Sequence, residues 1–371
     1  RTGLFRPEYD GSQDHDMILR LTEEARNVQH IPKILYYWRS HPNSVAADIN
    51  AKTYAIDAAK RAVHDHMRDY YQTEVEVEST RAFPTIFQVK YPIKGTPLVS
   101  ILIPNKDHVS DLRRCVGSIL KKSTWKNFEI IIIENNSREQ SIFAYYEELK
   151  AMPQVRVVTY TGEFNYSRIN NYGAGFAKGE YLLFLNNDTE VITPDWIEQM
   201  LMYAQRQDVG AVGAKLYYGD NTIQHAGVVI GLGAHRSAGH THYKMPKEHL
   251  GYMGRLCYAQ DVTAVTAACL LVKREIYDEV EGLDETFTIS LNDVDFCLKI
   301  RKKGYLNIFT PFAELYHYES KTRGMEEGEK LRRYERECAH FREKWKEALD
   351  AGDPYYNPNF SLDYSDFTLR F

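Results

Sequence analysis

The sequence predicts an α/β protein with a mostly parallel sheet flanked by helices, preceded by an N-terminal appendage of helix and strand type. Two observations lead to this class. From Leu98 onward, short apolar runs of strand length alternate with stretches of helical periodicity, which is the spacing of βαβ units. Three of these runs also end abruptly in amide or carboxylate side chains, and the ligands of open α/β sheets bind just beyond the carboxyl ends of the strands.

The residues before Leu98 are expected to hold a fragment of helix and strand type, then a charged helix and a linker. In residues 50–72, apolar or aromatic residues recur at roughly helical spacing, at Tyr54, Ala58, Ala62 and Met67. Residues 73–97 contain three prolines and are expected to run over the surface. We therefore divide the chain into four segments: 1–45 (fragment), 46–96 (helix and linker), 97–350 (main domain) and 351–371 (a tail that packs back on the body).

In the main domain, the elements follow from apolar patterns and helix signals. The helix that starts near Thr193 has a capping threonine, a proline at its first position and an acid in its first turn. The helix Asp293–Lys303 is ended by Gly304. The expected strands are Val99–Ile103, Phe128–Ile133, Val155–Tyr160, Tyr181–Leu185, Val209–Leu216, Thr263–Val272 and Ala313–His317. The other expected helices are Ser110–Lys122, Ser167–Ala177 and 325–350, with loops and short strands in 217–262.

Composition excludes several classes of protein. The net charge of the 371 residues is −5, which argues against a nucleic-acid surface as the main function. No apolar run approaches the ~20 residues that span a bilayer, so any membrane contact would be peripheral. The five cysteines are odd in number and widely spaced, which argues against a zinc pair and favours a reducing cytoplasm. Because the first residue is Arg1, we expect the chain to be a piece of a longer protein.

Polar side chains follow three of the predicted strands. They are Asn105-Lys106-Asp107, Glu134-Asn135-Asn136-Ser137 and Asn186-Asn187-Asp188. Each could be an ordinary polar turn, but parallel strands would bring all three to one edge of the sheet. A carboxylate at that edge can hold a divalent cation, and the cation can hold a diphosphate. The sequence has neither Gly-x-Gly-x-x-Gly nor a Walker-type phosphate loop. A nucleotide would therefore be held by carboxylates on its sugar and base, with a metal on its phosphates.

An ordered series of motifs along the chain resembles those of a known family. The chain resembles glycosyltransferase family 2, whose members have the Rossmann-like GT-A fold, over roughly residues 97–371, and it looks closest to the bacterial branch that builds cell-surface polysaccharides. The matching stretches are Val99-Ser100-Ile101-Leu102-Ile103-Pro104, Ile132-Ile133-Glu134-Asn135-Asn136-Ser137, Phe164-Asn165-Tyr166-Ser167-Arg168-Ile169-Asn170-Asn171, Leu185-Asn186-Asn187-Asp188, Ala264-Val265-Thr266-Ala267-Ala268-Cys269, Asn292-Asp293-Val294-Asp295-Phe296-Cys297-Leu298 and Leu315-Tyr316-His317-Tyr318-Glu319-Ser320.

The resemblance implies a role for particular residues. Asp293 matches the catalytic base, and Asp188 and His317 match the ligands of Mn²⁺ or Mg²⁺. Glu134 stands where the family usually has Asp, and Asn186 replaces the first Asp of the family's Asp-x-Asp motif. The residues expected to bind the sugar donor are Pro104, Asn105, Asp107, Glu134, Asn136, Arg168, Asn171, Asn187 and Asp188. Those expected on the acceptor side are Asn292, Asp295 and Ala267, with Asp295 the second choice as base.

The implied activity is that of a metal-dependent inverting hexosyl- or deoxyhexosyltransferase. It would move a sugar from a UDP- or dTDP-linked donor to a growing polysaccharide or lipid-linked glycan, in the cytoplasm or at the inner face of the membrane. One alternative is a non-catalytic nucleotide- or carbohydrate-binding module in an assembly complex, although Asp188, Asp293 and His317 are all retained. A nucleotidyltransferase is disfavoured, because no glycine-rich phosphate loop follows the first strand of the main domain.

The N-terminus repeats part of the main domain. Residues 3–21 match 282–300 without a gap, so that Asp14 pairs with Asp293 and Asp16 with Asp295. After a shift of one residue, Leu35-Tyr36 pairs with Leu315-Tyr316. We therefore interpret residues 1–45 as the C-terminal part of another domain of the same family, so that the parent protein would hold two such domains. A chance similarity of amphipathic segments is the alternative.

Overall fold

The computed structural model describes residues 2–37, 53–319 and 328–370, which form two compact units, Arg1–Pro92 and Ile93–Phe371. The first unit contains a 3₁₀ turn at Pro7–Tyr9 and the helices α1 (Gln13–Glu24) and α2 (Thr53–Asp69). Two antiparallel strands follow, β1 (Glu76–Ser79) and β2 (Phe87–Lys90). The predicted linker at 73–97 therefore contains a hairpin.

Polar contacts join the helices of the first unit. The buried carboxylate of Asp16 on α1 accepts hydrogen bonds from Arg6 and Arg20, and the Tyr9 hydroxyl donates to Asp65 on α2 at 2.7 Å. The predicted strand character of the fragment is wrong for the part that can be checked, because no strand occurs in residues 2–37. The rest of that fragment and the first residues of the predicted helix 50–72 lie outside the described residues.

The second unit is built on a mixed sheet. Its elements are β3 (Val99–Asn105), α3 (Val109–Lys122), β4 (Phe128–Glu134), α4 (Gln140–Lys150), β5 (Val155–Thr159), α5 (Tyr166–Ala174), β6 (Tyr181–Leu185), β7 (Thr189–Val191), α6 (Trp196–Ala204), β8 (Val209–Tyr217), β9 (Ile223–His225), β10 (Val228–Ile230), β11 (Ala238–His240), β12 (Gln260–Val262), β13 (Cys269–Lys273), α7 (Arg274–Glu279), α8 (Asn292–Lys302), β14 (Leu306–His317), α9 (Glu329–Lys344) and α10 (Lys346–Ala351). The α/β class predicted from the sequence is confirmed.

The order of strands along the sheet is β12-β14-β8-β13-β6-β3-β4-β5. Strands β6, β3, β4 and β5 are mutually parallel, and β14 is parallel to β8. Strand β13 runs antiparallel to both of its neighbours and joins the two parallel groups. The carboxyl ends of β3 and β6 therefore lie side by side at one edge, which is the edge that the sequence predicted for ligand binding.

Several elements differ from the sequence prediction. Helix α4 was not predicted, although its buried residues, Ile142, Tyr145, Tyr146 and Leu149, follow helical spacing. Strand β13 begins only at Cys269, so most of the predicted strand Thr263–Val272 is irregular. Strand β14 is longer than predicted and passes through Pro311, where the register with β8 shifts between Thr310 and Glu314.

The C-terminal helical region is also divided. The predicted helix 325–350 consists of α9 and α10 within the described residues, with Trp345 between them. Residues 325–327 lie outside the described part of the chain. The tail after residue 351 packs on the second unit, where Tyr356 and Phe367 form a small buried cluster with Val229 and Leu232. No helix in the described ranges has both the length and the apolar composition that crossing a bilayer requires.

Candidate active site

Two adjoining cavities lie at the carboxyl edge of β3 and β6. The first has a volume of about 380 Å³ and is lined by Pro104, Asn105, Asn187 and Asp188 from the strand ends, among others. The second has a volume of about 670 Å³ and contains Asp293. The residues common to both linings are Tyr166, Asn186, Ile289, His317 and Glu319. The two cavities are therefore compartments of one site that meet beside His317.

The polar residues at the ends of β3 and β6 are in direct contact. The Asn187 side chain donates a hydrogen bond from Nδ2 to Oδ1 of Asn105 at 2.6 Å. The Asn105 amide in turn donates to the hydroxyl of Tyr146 on α4 at 2.8 Å. Because Asn105 is 3% exposed and bonded on both sides, the floor of the first cavity is fixed before any ligand enters. The structure thus brings together Pro104, Asn105, Asn187 and Asp188.

His317 and Asp188 form a polar pair in the wall of the first cavity. Nε2 of His317 lies 3.1 Å from Oδ1 of Asp188 and 3.0 Å from Nδ2 of Asn186. On its other side, Nδ1 lies 2.6 Å from Oε1 of Gln224. A ring whose Nδ1 carries the proton presents a lone pair at Nε2, facing the carboxylate. A cation bound between these two acceptors would satisfy both of them, so the pair is a potential ligand site.

Asp293 lies in the first turn of helix α8 and faces the second cavity. Its Oδ2 accepts a hydrogen bond from the backbone N–H of Ala267 at 3.1 Å. Ala267 and Asn292 line the same cavity, and the buried Asn292 side chain donates to the carbonyl of Ile289 at 2.9 Å. A carboxylate in the first turn of a helix is also stabilised by the helix dipole. The structure therefore brings the predicted base together with two of the three predicted acceptor-side residues.

Asp295, the third predicted acceptor-side residue and the second choice as base, lies elsewhere. It is fully buried, and its Oδ1 accepts hydrogen bonds from Nε1 of Trp345 at 2.7 Å and from Nζ of Lys344 at 2.6 Å. It lines neither cavity. Its contacts fix α8 to the C-terminal helices, so we assign it a structural role.

Three of the predicted donor-binding residues use their side chains to shape loops. Oδ1 of Asp107 accepts hydrogen bonds from the backbone N–H groups of Arg138 and Glu139 at 2.6 and 2.9 Å. Burial alone would raise the pKa of Asp107, but these backbone bonds lower it. Glu134 accepts from the N–H of Ser137 at 2.6 Å, and Asn136 donates to the carbonyl of Gly162 at 2.8 Å. The neighbouring Asn135 lines the first cavity instead.

Arg168 and Asn171 also lie outside both cavities. Arg168 is exposed and forms an ion pair with Glu285 at 3.0 Å. Asn171 donates to the carbonyl of Leu283 and accepts from its N–H, at 2.9 and 3.0 Å. These contacts attach α5 to the segment that leads toward Asp293. Both residues therefore support the site from outside.

Basic residues that the sequence reasoning did not select line the first cavity. They are Lys106, His108, Lys330 and Arg333. Nε of Arg333 is buried and makes no hydrogen bond to any described residue. Lys106 lies inside a motif that the sequence analysis had marked, whereas Lys330 and Arg333 belong to a generally charged helix, where no local signal distinguishes them. The cavity therefore has the positive charge that a phosphorylated ligand requires.

Helix α9 also holds the loop that leads to Asp293. The buried carboxylate of Glu337 accepts hydrogen bonds from the backbone N–H groups of Thr288, Ile289 and Ser290, at 2.8, 3.0 and 3.0 Å. Next in the chain, Leu291 adopts a left-handed conformation with φ of 62°, after which α8 begins. Arg333 lies four residues before Glu337, which places both on one face of α9.

Comparison with known proteins identifies the family. Residues 100–280 match the family model described as glycosyl transferase family 2. The domain that contains these residues belongs to glycosyltransferase family 2. The chain is 46% identical over 372 residues to "Uncharacterized protein y4gI" of Sinorhizobium fredii, covering 99% of the chain and 40% of that relative. It is 35% identical over 374 residues to "O-antigen biosynthesis protein RfbC" of Myxococcus xanthus, covering 100% of the chain and 28% of that relative. The chain thus spans less than half of either relative.

Among solved structures, the chain is similar to the crystal structure of GalNAc-T7 with UDP, GalNAc and Mn²⁺. The TM-score is 0.55 at 18% sequence identity, and the match covers 70% of this chain and 50% of the other. This similarity supports the GT-A fold that the strand order describes.

Proposed function

We propose that this chain is a metal-dependent inverting glycosyltransferase that uses a nucleoside-diphosphate sugar. The observation that carries the proposal is the Asp188–His317 pair at the junction of two cavities, with Asp293 in the second. The first cavity would hold the donor, because it contains the pair and four basic side chains. The second would hold the acceptor, because it contains a carboxylate able to accept a proton.

The residues present fit a divalent cation that the donor phosphates complete. The 3.1 Å between Asp188 Oδ1 and His317 Nε2 matches the separation of adjacent ligands around an ion with bonds of about 2.1 Å. Within the described residues, no three His, Cys, Asp or Glu side chains cluster as a full cage. Mg²⁺ usually takes one or two carboxylates with substrate phosphates and water. When bound, the cation would neutralise the charge of the departing diphosphate.

The chemistry on the acceptor side needs one base. The acceptor hydroxyl oxygen attacks the anomeric carbon while the bond from that carbon to the diphosphate oxygen breaks. The bonding electron pair leaves with the nucleoside diphosphate, and Asp293 takes the hydroxyl proton. Because there is a single displacement, the configuration at the anomeric carbon inverts. Asp293 would remain positioned throughout, since its Oδ2 is held by the Ala267 N–H.

We further propose a polysaccharide or lipid-linked glycan as the acceptor, at the cytoplasmic face of the membrane. The proposal is supported by RfbC, a relative named for O-antigen biosynthesis. We also propose that the transferred sugar is a hexose or deoxyhexose and that its carrier is UDP or dTDP. The GalNAc-T7 structure contains UDP, which makes uridine donors the first to test.

The test is calorimetric titration of the chain with UDP-, dTDP- and GDP-sugars, with and without Mn²⁺. We expect one nucleotide class to bind, and to bind at least tenfold more weakly after EDTA treatment. Asp188→Asn should remove the metal-dependent part of the donor affinity. Asp278→Asn, a substitution of an exposed aspartate, serves as the charge-matched control. Equal binding with and without metal would refute the metal assignment. Tight binding with no donor turnover toward any acceptor would favour the non-catalytic module.

We also propose that residues 1–45 are the end of another domain of this family. In the ungapped match of 3–21 with 282–300, Gln13 pairs with Asn292, and these two residues begin α1 and α8. The paired residues Asp16 and Asp295 are both buried and bonded to basic side chains. Donor titration of the full-length parent protein tests the idea. A second site that survives Asp188→Asn is the expected result, and a single site would contradict it.

A further inference from the structure

We infer that Gln224 and Glu319 are positioning residues that fix the tautomer of His317. They would keep the proton of the neutral ring on Nδ1 and so leave the Nε2 lone pair directed at Asp188. The inference deepens the proposed function, because the fixed lone pair is what a cation at Asp188 would bind. The tautomer itself is a property of the metal-free protein and can be measured separately.

The three side chains form a continuous chain of hydrogen bonds. Nε2 of Gln224 donates to Oε2 of Glu319 at 2.8 Å. Oε1 of the same amide lies 2.6 Å from Nδ1 of His317. His317 ends β14, Glu319 follows it two residues later, and Gln224 lies on β9. These hydrogen bonds therefore connect two separate strands behind the imidazole.

Glu319 determines the direction of these bonds. An ionised carboxylate offers only acceptors, so the atom of Gln224 that faces it must be the NH₂ group. The reversed amide would place two oxygens against each other. With the NH₂ group directed at Glu319, the carbonyl oxygen of Gln224 faces His317 and accepts only from a protonated Nδ1. The proton of a neutral ring is thereby excluded from Nε2.

Burial makes this arrangement difficult to replace with water. Gln224 is 3% exposed and His317 is 5% exposed. Gln224 also precedes His225, which pairs with Leu216 in the sheet, so its backbone cannot shift freely. On the cavity side, Asn186 places its Nδ2 3.0 Å from Nε2 of His317, as expected for a lone pair at that atom.

The consequence is a ring prepared for binding metal. A histidine ligand must present a neutral nitrogen, and a partner at the other nitrogen sets both the tautomer and the orientation of the ring. Loss of such a partner typically weakens metal affinity by about 10–100-fold. Removing the Gln224 amide should therefore weaken Mn²⁺ binding, even though Gln224 itself would not touch the metal.

The first measurement is the ¹⁵N spectrum of histidine-labelled, metal-free protein at a pH where the ring is neutral, with His317 assigned from His317→Gln. We expect the wild type to have a protonated Nδ1, and Gln224→Leu to shift the population toward Nε2–H. Gln199→Leu, which removes a largely buried glutamine from α6, is the control. A wild-type His317 protonated at Nε2, or an unchanged tautomer in folded Gln224→Leu, would overturn the inference.

The second measurement is titration with Mn²⁺ alone, followed by electron paramagnetic resonance. Gln224→Leu should raise the Kd by about 10–100-fold, and Gln199→Leu should leave it unchanged. If Gln224→Leu does not fold, Glu319→Ala replaces it in both measurements, because losing the carboxylate allows the amide to reverse. If Gln224→Leu shifts the tautomer but the wild type binds no Mn²⁺, the positioning role is supported and the proposed metal dependence is refuted. Equal Mn²⁺ affinities in a metal-binding wild type and folded Gln224→Leu would refute the positioning role.

Discussion

Oδ2 of Asp293 is held 3.1 Å from the backbone nitrogen of Ala267. The bond joins the first turn of α8 to the irregular segment before β13, where the sequence had predicted a strand. Had that segment been a regular strand, its N–H groups would have been engaged in the sheet ladder. The departure from regular structure is therefore what makes an N–H available to orient the proposed base.

Asp293→Asn should abolish transfer and leave donor binding nearly intact. A general base contributes about 10²–10⁴-fold to the rate, and it acts mainly in the transition state. The measurement is kcat for sugar transfer, together with calorimetric Kd values for the donor. Asp278→Asn, an exposed change of the same charge, should retain wild-type turnover. Turnover by Asp293→Asn close to that of this control would eliminate Asp293 as the base.

Arg333→Gln should weaken binding of nucleoside diphosphates about tenfold without affecting the free nucleoside. Its buried Nε makes no bond to a described residue, and charge-assisted bonds to phosphate are among the strong ones. Calorimetry with UDP and with uridine separates the two contributions. The matched control is Arg332→Gln, since the adjacent Arg332 is exposed and does not line the cavity. An equal loss for UDP and uridine would show that Arg333 does not act on phosphate.

Lys344→Met should destabilise the fold by about 2–3 kcal/mol, somewhat less than the ~3–5 kcal/mol lost from a fully buried pair. Lys344 is partly exposed, but its loss leaves the fully buried Asp295 without its ion-pair partner. Urea denaturation measures the difference in the free energy of unfolding between the variant and the wild type. Lys346→Met removes an exposed pair with Asp350 and should leave the free energy of unfolding nearly unchanged. Equal costs for the two variants would contradict the structural role of Asp295.

Lys344 also contacts Asp284, and this contact should make the free energy of unfolding depend on pH in the acid range. Burial alone would raise the pKa of Asp284, but hydrogen bonds from Lys344 and Thr286 lower it to about 2. A carboxyl whose folded pKa is depressed stabilises the fold above its unfolded pKa, about 3.9. That stability is lost as pH falls toward 2. Because solvent screens this partly exposed pair, the free energies of unfolding of wild type and Asp284→Asn should differ by only about 1 kcal/mol at pH 6, and the difference should narrow below pH 4. A gap independent of pH would contradict this account.

The sequence predicted the part of the site that lies on regular structure. Asn187 meets Asn105 because parallel strands end at one edge, and alternating strands and helices are visible in the sequence. It also marked Asp188, Asp293 and His317, which line the two cavities. Helix α4 was missed although Ile142, Tyr145, Tyr146 and Leu149 carried its pattern, so that omission was avoidable.

Other features depend on backbone conformation that the sequence does not display. Asp107 and Asn136 have φ of 53° and 56°, and these left-handed turns direct both side chains to backbone groups. The adjacent Asn135 lines the first cavity, but no pattern in the sequence separates neighbouring asparagines. Gln224 is 93 positions from His317, and only the packing of β9 beside β8 brings them together.

Helix α9 presents Arg333 to the first cavity and Glu337 to the loop before Asp293. A substitution on this face that suits a new donor would therefore also perturb the loop that positions Asp293. Directed evolution that randomises the face shared by Arg333 and Glu337 would therefore meet a trade-off between selectivity and turnover. Loop residues such as Leu232, Gly233 and Tyr243 also line the second cavity but are not part of the Ala267–Asp293 contact, so their variation would admit new acceptors with fewer compensating changes.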